Sequence, residues 1–167
     1  ITYPDGFQLT AQFDAANRLK TLLDGSAAHL ADYLYAGPDR GAQVTFVNGS
    51  KEIDGYDGLG QLASRAFQQS GGGSLGGIQY AYDQAGNAVY EARTHQAGKG
   101  DVYGYDSADR LVWAKIDVVA PALEVQTPGS QAYATRTDWA LTGAQDRSSE
   151  TLTPYGGAPA TTTYTAN

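Results

Sequence analysis

The sequence contains no cysteine, which excludes disulfide bonds, cysteine nucleophiles and cysteine-ligated zinc or iron–sulfur sites. Basic residues are scarce: 11 Lys and Arg stand against 18 Asp and Glu, and the formal net charge is -7. Because nucleic acids and anionic membranes attract cationic surfaces, neither is an expected partner. No run approaches the ~20 apolar residues that a membrane-spanning helix needs, so we expect no membrane insertion.

Methionine is absent even from position 1, so Ile1 is expected to be a processed or internal end. Large aliphatic residues are also few, whereas the 167 residues include 12 Tyr and 21 Gly. Tyrosine rings can supply much of the buried area that Leu and Ile usually provide. A chain rich in Tyr, Thr and Gly favours β-sheet over helix, and the predicted fold class is all-β.

A short motif recurs about every 22 residues, and its first copy is Phe13-Asp14-Ala15-Ala16-Asn17-Arg18-Leu19. An aromatic residue is followed by Asp, by small or polar residues, and then by Arg-Leu or an equivalent. Further copies begin at Tyr35, Tyr56, Tyr82 and Tyr105.

The motif has the features of a strand that enters a turn. Tyr80 and Tyr82, like Tyr103 and Tyr105, alternate along a strand and therefore project from one face. The Asp carboxylate can accept backbone N–H bonds from the next residues and so initiate the turn. Gly86 suits a turn position with positive φ. Each period is then about one hairpin, and Asn48-Gly49 predicts a further hairpin turn.

These motifs resemble the YD repeat of the RHS family over about residues 1–115. The family pattern is roughly Tyr-x-Tyr-Asp-x-x-Gly-Arg-Leu. In this sequence Phe13 replaces Tyr, Asp39 is displaced, and Gln61 and Ala88 are interpreted as standing where Arg is usual. The residues expected to build the repeat are Phe13, Asp14, Arg18, Tyr35, Tyr56, Asp57, Tyr80, Tyr82, Asp83, Gly86, Tyr103, Tyr105, Asp106 and Arg110.

The resemblance implies an architecture and a setting. Successive hairpins would add side by side to one twisted, spiralling antiparallel sheet. Members of the family are large, secreted or surface-displayed proteins. In them, many repeats wind into a hollow shell that encloses a toxic C-terminal domain, or act in adhesion. The Ser70–Gly77 segment interrupts the period and reads as a flexible tip.

The repeat stops near Asp117, and we predict a repeat domain over 1–116 and a separate segment over 117–167. Residues 118–128 read as a linker and a strand, with more strands over 137–143, 151–154 and 161–165. This segment resembles the start of a bacterial immunoglobulin-like domain. The resemblance implies that the C-terminal part is an incomplete β-sandwich. Alternatively, residues 161–165 begin a further repeat hairpin.

Few residues suggest chemistry. His29 and His95 lack metal-ligand spacing and read as solvated loop residues. Asp54 and Asp57 lie in a Gly-rich stretch and are weak candidates for Ca²⁺, because the full calcium-loop pattern is missing. The repeat aspartates could supply a glycosidase acid pair, but turn capping explains their periodicity better.

The sequence therefore predicts a non-enzymatic bacterial module, extracellular or on the cell surface, that uses no cofactor. Expected partners are copies of itself or neighbouring repeats, joined through β-edge pairing and able to form a fibre. Glycans are a further candidate partner if tyrosines, Trp113 or Trp139 form an exposed aromatic row. The alternatives are a carbohydrate-binding or adhesion module, and a fragment of a toxin-encapsulating RHS shell.

Overall fold

The chain is an all-β protein whose strands are antiparallel and follow one another in chain order. The computed structural model describes residues 1–143 and 146–164. The chain divides into two compact units, 1–77 and 78–167. None of the described residues form a helix long and apolar enough to cross a bilayer.

The first unit is a succession of hairpins that begins with a turn at Tyr3, where the Gly6 N–H donates to the Tyr3 carbonyl oxygen at 2.9 Å. Each strand pairs antiparallel with the next. Its strands are β1 Leu9–Phe13, β2 Leu19–Asp24, β3 His29–Ala36, β4 Arg40–Phe46, β5 Lys51–Tyr56 and β6 Leu62–Gln68.

Strand β7 contains the boundary between the two units. From β7 onward, each strand again pairs antiparallel with the next. Its strands are β7 Ser74–Tyr82, β8 Ala88–Arg93, β9 Gly100–Tyr105, β10 Leu111–Val118, β11 Thr135–Leu141, β12 Arg147–Pro154 and β13 Ala160–Thr163. A 3-10 turn spans Thr94–Gln96, and one short helix, α1, spans Pro121–Gln126.

The motif positions pair in a fixed register. Phe13 pairs with Leu19, Tyr35 with Gly41, and Tyr105 with Leu111. The residue six positions after each motif aromatic is therefore its partner across the turn. At Phe13 and Tyr35 the ladder shifts register next to the aromatic, which is the mark of a β-bulge and re-aims the ring.

Two local predictions are wrong. Residues 121–126, within the predicted linker and strand, form α1, because Pro121 suits the first turn of a helix and Glu124 is buried there. In the predicted flexible tip, the turn reaches only Gly73, and Ser74 begins β7. A Cβ at Gly77 would lie 2.5 Å from the Arg65 carbonyl oxygen, so glycine permits close approach of backbones there.

The C-terminal strand predictions agree better with the structure. β11, β12 and β13 overlap the strands predicted from the tail, and β11 pairs with β10. Thr165 lies outside the described residues. The immunoglobulin-like interpretation of the tail and the predicted boundary at residue 117 both stay predictions.

The two units bury different amounts of side chain. In the first unit only Leu23 and Ala31 are buried apolar residues. In the second unit Val102 and Val118 are fully buried. Here α1 packs against β8 and β9, so a second layer covers part of the sheet.

Candidate functional site

The repeat turns share one backbone geometry. At Asp14, the N–H donates to the carbonyl oxygen of Arg18 at 2.9 Å, and the Asn17 N–H donates back to the Asp14 carbonyl oxygen at 3.0 Å. Asn17 has φ of 59°, in the left-handed region that Asn and Gly tolerate best. The same three-residue turn occurs after Asp57, Asp83 and Asp106, with Gly60, Gly86 and Asp109 at the left-handed position.

The motif aspartate caps its own turn. Asp14 Oδ1 accepts the backbone N–H of Ala16 at 2.9 Å and of Arg18 at 3.0 Å. The Arg18 side chain then donates from Nε to the other carboxylate oxygen at 2.8 Å. These bonds, led by that from the Arg18 side chain, lower the pKa of Asp14. The pKa of Asp83 and of Asp106 is lowered in the same way, first by the Asn87 N–H and by the Arg110 side chain respectively.

The motif arginine also reaches the next turn. Arg18 Nη1 donates to the carbonyl oxygen of Gly37 at 2.6 Å and of Pro38 at 3.0 Å. Its guanidinium lies 4.3 Å from the centre of the Tyr35 ring. One arginine side chain therefore joins its own Asp, the following turn and the following aromatic residue, which the planar guanidinium with its several donors makes possible.

The hydroxyl of the motif tyrosine also links its own copy of the repeat to the preceding copy. The Tyr35 hydroxyl donates to the Leu19 carbonyl oxygen at 2.7 Å, and the Tyr56 hydroxyl donates to the Gly41 carbonyl oxygen at 2.6 Å. In both cases the acceptor is the residue after the arginine of the preceding copy. Phe13 has no hydroxyl to make this bond, and the residue is 56% exposed.

The second unit repeats this pattern with substitutions. The Tyr105 hydroxyl donates to the Ala88 carbonyl oxygen at 3.0 Å. Asn87, and not Ala88 as the sequence suggested, takes the arginine position, because it follows the left-handed residue of its turn. Its Nδ2 donates to Asp109 Oδ1 of the next copy at 2.9 Å. Arg110 in turn donates to the Thr142 carbonyl oxygen at 3.1 Å.

The first tyrosines of the two Tyr-x-Tyr copies lie inside their strands. Tyr80 pairs with Glu91 across the ladder, and Tyr103 pairs with Ala114. Burial, assisted by the nearby Glu91 and Asp101 carboxylates, raises the pKa of Tyr103.

The candidate metal residues have other partners. The two Asp54 carboxylate oxygens each accept a hydrogen bond from Arg65 at 2.7 Å. Asp57 Oδ1 accepts the N–H of Leu59 at 2.9 Å and of Gln61 at 2.8 Å. Within residues 1–143 and 146–164, no three His, Asp or Glu side chains are grouped so that they could hold a metal ion.

The loop prediction agrees with the structure at His95 but not at His29, which lies in a strand. His29 opens β3 with an exposed side chain, and its Nδ1 lies 3.1 Å from both Asp32 carboxylate oxygens. His95 is in the exposed 3-10 turn between β8 and β9. The two residues lie in different units.

A cavity of about 370 Å³ lies in the second unit beneath α1, and sequence reasoning did not find it. Glu124 of α1 and Lys115 of β10 form a buried ion pair in its wall. Glu124 also accepts the N–H of Gly129 at 2.8 Å and of Gln131 at 2.9 Å. Burial disfavours the charged carboxylate, but these donors outweigh it, so the pKa of Glu124 lies below its usual value.

A second ion pair adjoins the same cavity. Arg136 of β11 donates from Nε to Asp138 Oδ2 at 2.8 Å and from Nη2 to Oδ1 at 2.6 Å. Its guanidinium lies 5.0 Å from the centre of the Trp113 ring. The ring itself lies against Gly104, where a Cβ would overlap the indole. The side chain of Trp113 is thus used in packing.

Comparison with known structures finds a matching fold. The chain superimposes over 97% of its length on the crystal structure of TcdB2-TccC3-TEV, with a TM-score of 0.73, 13% identity and 9% of that chain covered. A structure of the Photorhabdus luminescens Tc holotoxin pore gives the same values. The crystal structure of TcdB2-TccC3 matches 95% of this chain and 9% of its own, with a TM-score of 0.70 and 13% identity. The fold is RHS-like.

The likeness is one of fold. No protein-family profile matches the sequence, and no curated protein matches it. The chain spans about 9% of the length of the structures that it resembles. The RHS-like hairpins agree with the predicted sheet of successive repeats.

Within the RHS-like fold, sequence reasoning found the turn residues and missed the cavity. The turn motif repeats, so it is visible as a pattern. Lys115, Glu124 and Arg136 occur once each in this arrangement and come from three elements. The only signal in the sequence was the end of the repeat near Asp117.

Proposed function

We propose that this chain is a structural wall segment of a longer, secreted or surface-displayed bacterial protein of RHS type, and that it acts without catalysis. The observation that carries the proposal is the match of nearly the whole chain to about a tenth of much longer chains of Tc toxin structures. In that setting the chain would be one arc of a wall built from many hairpins.

The turn contacts support this role. In each unit, polar side chains of one copy are used on the turn of the next, as with Arg18 on Gly37 and Asn87 on Asp109. Such nearest-neighbour contacts stabilise a one-dimensional array and extend with each added repeat. The side chains of the repeat aspartates and arginines are therefore used in structural hydrogen bonds.

Electron cryo-microscopy of the native protein tests the proposal. The protein that contains this sequence would be purified from its source and identified by peptide mass mapping. We expect a hollow particle whose wall includes the thirteen strands. Fractionation of the culture should place the same protein outside the cell or on its surface.

Other outcomes would overturn it. Filaments built from a 17.6 kDa subunit would establish self-assembly of this chain through its strand edges instead. A compact particle with no internal space would exclude a shell wall. A purely cytoplasmic location would contradict the extracellular role.

A further inference from the structure

The connection between β10 and β11 breaks the rule followed by the repeat turns. The turns at Asp14, Asp57, Asp83 and Asp106 use three residues, whereas this connection uses residues 119–134 and contains α1. Connections between elements of compact domains have a median of about 4–6 residues, so this one carries extra chain. The extra residues form a roof over one face of the sheet, which we call the α1 roof.

The α1 roof is fixed in place from below. Glu124 is 2% exposed, and it receives hydrogen bonds from Lys115 and from the N–H groups of Gly129 and Gln131. Lys115 Nζ also lies 5.0 Å from the centre of the Tyr133 ring. A buried charge with this number of partners holds its segment in one position, so the space beneath is formed in advance.

The space beneath the roof has the size and lining of a small-molecule site. Its volume of about 370 Å³ falls in the range of ligand pockets. Most of its side chains are apolar, with Val102 of β9 as a fully buried wall and Val125 and Pro128 from the roof. An apolar lining of this kind favours a ligand with an apolar body.

One hydrogen-bond donor of a residue that lines the cavity is available to a ligand. Arg136 uses Nε and Nη2 on Asp138, and its Nη1 has no hydrogen-bond partner among the described residues. Arg136 lines the cavity beside Trp113. A guanidinium N–H group is a strong donor toward a carbonyl oxygen.

We propose that the α1-roofed cavity binds a small, uncharged and mainly apolar molecule that carries one carbonyl oxygen, which accepts from Arg136 Nη1. The molecule is uncharged because both local charge pairs, Lys115–Glu124 and Arg136–Asp138, are already neutral. An anion would face the Glu124 carboxylate in the cavity wall and lose its hydration. A cation would find no unpaired carboxylate.

The test uses the neutral ketone dye 6-propionyl-2-(dimethylamino)naphthalene, whose emission reports the polarity around it. Titration of the intact chain should show saturable binding with a Kd on the order of 10–100 µM. The anionic dye 8-anilinonaphthalene-1-sulfonate should bind more weakly. Absence of saturable binding of the ketone, or a preference for the anionic dye, would overturn the proposal.

Two pairs of variants locate the dye. Val125→Trp fills the cavity and should weaken binding at least about tenfold, while Leu123→Trp on the same helix should leave it unchanged. Arg136→Lys keeps the charge but removes Nη1, and should weaken binding about tenfold. Arg147→Lys is its control, because Arg147 stacks on Trp139 in the same manner and does not line the cavity.

The Arg136→Lys variant keeps the test decisive if Val125→Trp does not fold, as judged by circular dichroism. Equal affinity in wild type and Arg136→Lys would exclude the proposed hydrogen bond. Equal affinity in wild type and a folded Val125→Trp would place the dye elsewhere. The hollow-wall proposal does not depend on either result.

Discussion

Strand β10 is bounded by two connections that the chain stabilises in opposite ways. At its start, the turn after Asp106 is exposed and is held by a carboxylate that accepts the N–H of Ala108 and Arg110. At its end, the α1 roof is held by Lys115 and Glu124, which are buried. The exposed turn repeats along the chain, whereas residues 1–143 and 146–164 contain one buried pair of this kind.

The difference shows which contacts should decide stability. An exposed, hydrated ion pair contributes little, because water competes for both partners. A buried pair also gains little over apolar residues, but the loss of one partner leaves an uncompensated charge in the interior. We therefore expect the α1 roof to be more sensitive to substitution than the repeat turns.

The largest effect is expected for Glu124→Ala. It leaves the Lys115 ammonium buried and frees the N–H groups of Gly129 and Gln131. The free energy of unfolding should fall by about 3–5 kcal/mol, measured by urea denaturation. The double variant Lys115→Met with Glu124→Leu should recover a large part of the loss. If Glu124→Ala is as stable as wild type, the α1 roof is not more sensitive to substitution than the repeat turns.

The next effect concerns the packing of Trp113 on β9. Gly104→Ala places a Cβ within the indole and should cost about 1–3 kcal/mol of unfolding free energy. Gly41→Ala is a matched control in strand β4, where a Cβ would meet open space, and should be near neutral. Equal losses of unfolding free energy in the two variants would show that glycine is required for its backbone conformation and not for its contact with the Trp113 ring.

A smaller effect is expected at the turn aspartates, and it depends on pH. The pKa of Asp106 is lower in the folded chain than in the unfolded chain, so its ionised form stabilises the fold above about pH 4. This contribution is lost as the pH falls through the folded pKa. Asp106→Ala should therefore lower the Tm at pH 7 and have little effect at pH 2. A variant that is equally destabilising at both pH values would exclude the ionised cap.

The smallest effect tests the left-handed turn position alone. Ala27, in the turn between β2 and β3, has φ of 64°, which is unfavourable for a residue with a Cβ. Ala27→Gly should stabilise the chain by about 0.5–1 kcal/mol. Gly72→Ala makes the reverse change at φ of 90°, with open space around its Cβ, and should destabilise by a similar amount. Thermal unfolding of both variants measures the difference, and changes of the same sign would contradict it.

Much of the fold was predictable because it is local and repeated. The aspartate, the left-handed residue and the arginine act within five residues of one another, so each copy of the motif carries its own turn. The one misaligned copy, Asn87, shows the limit of this approach. Asn87 follows Asp83 by four residues, as Arg18 follows Asp14, but its chemistry differs from that of arginine, and the left-handed Gly86 before it identifies the position in the structure.

The sequence by itself determined the all-β class, the hairpin period and the residues that build each turn, because these depend on short-range hydrogen bonds and backbone preferences. Only the tertiary structure decided that Pro121–Gln126 is helical and roofs a cavity. The alternating apolar residues Leu123 and Val125 favour a strand locally, but burial of Glu124 against Lys115 requires the chain to turn back over the sheet. That contact joins two elements whose meeting no local pattern predicts, and the low dielectric around the pair makes the loss of either partner costly.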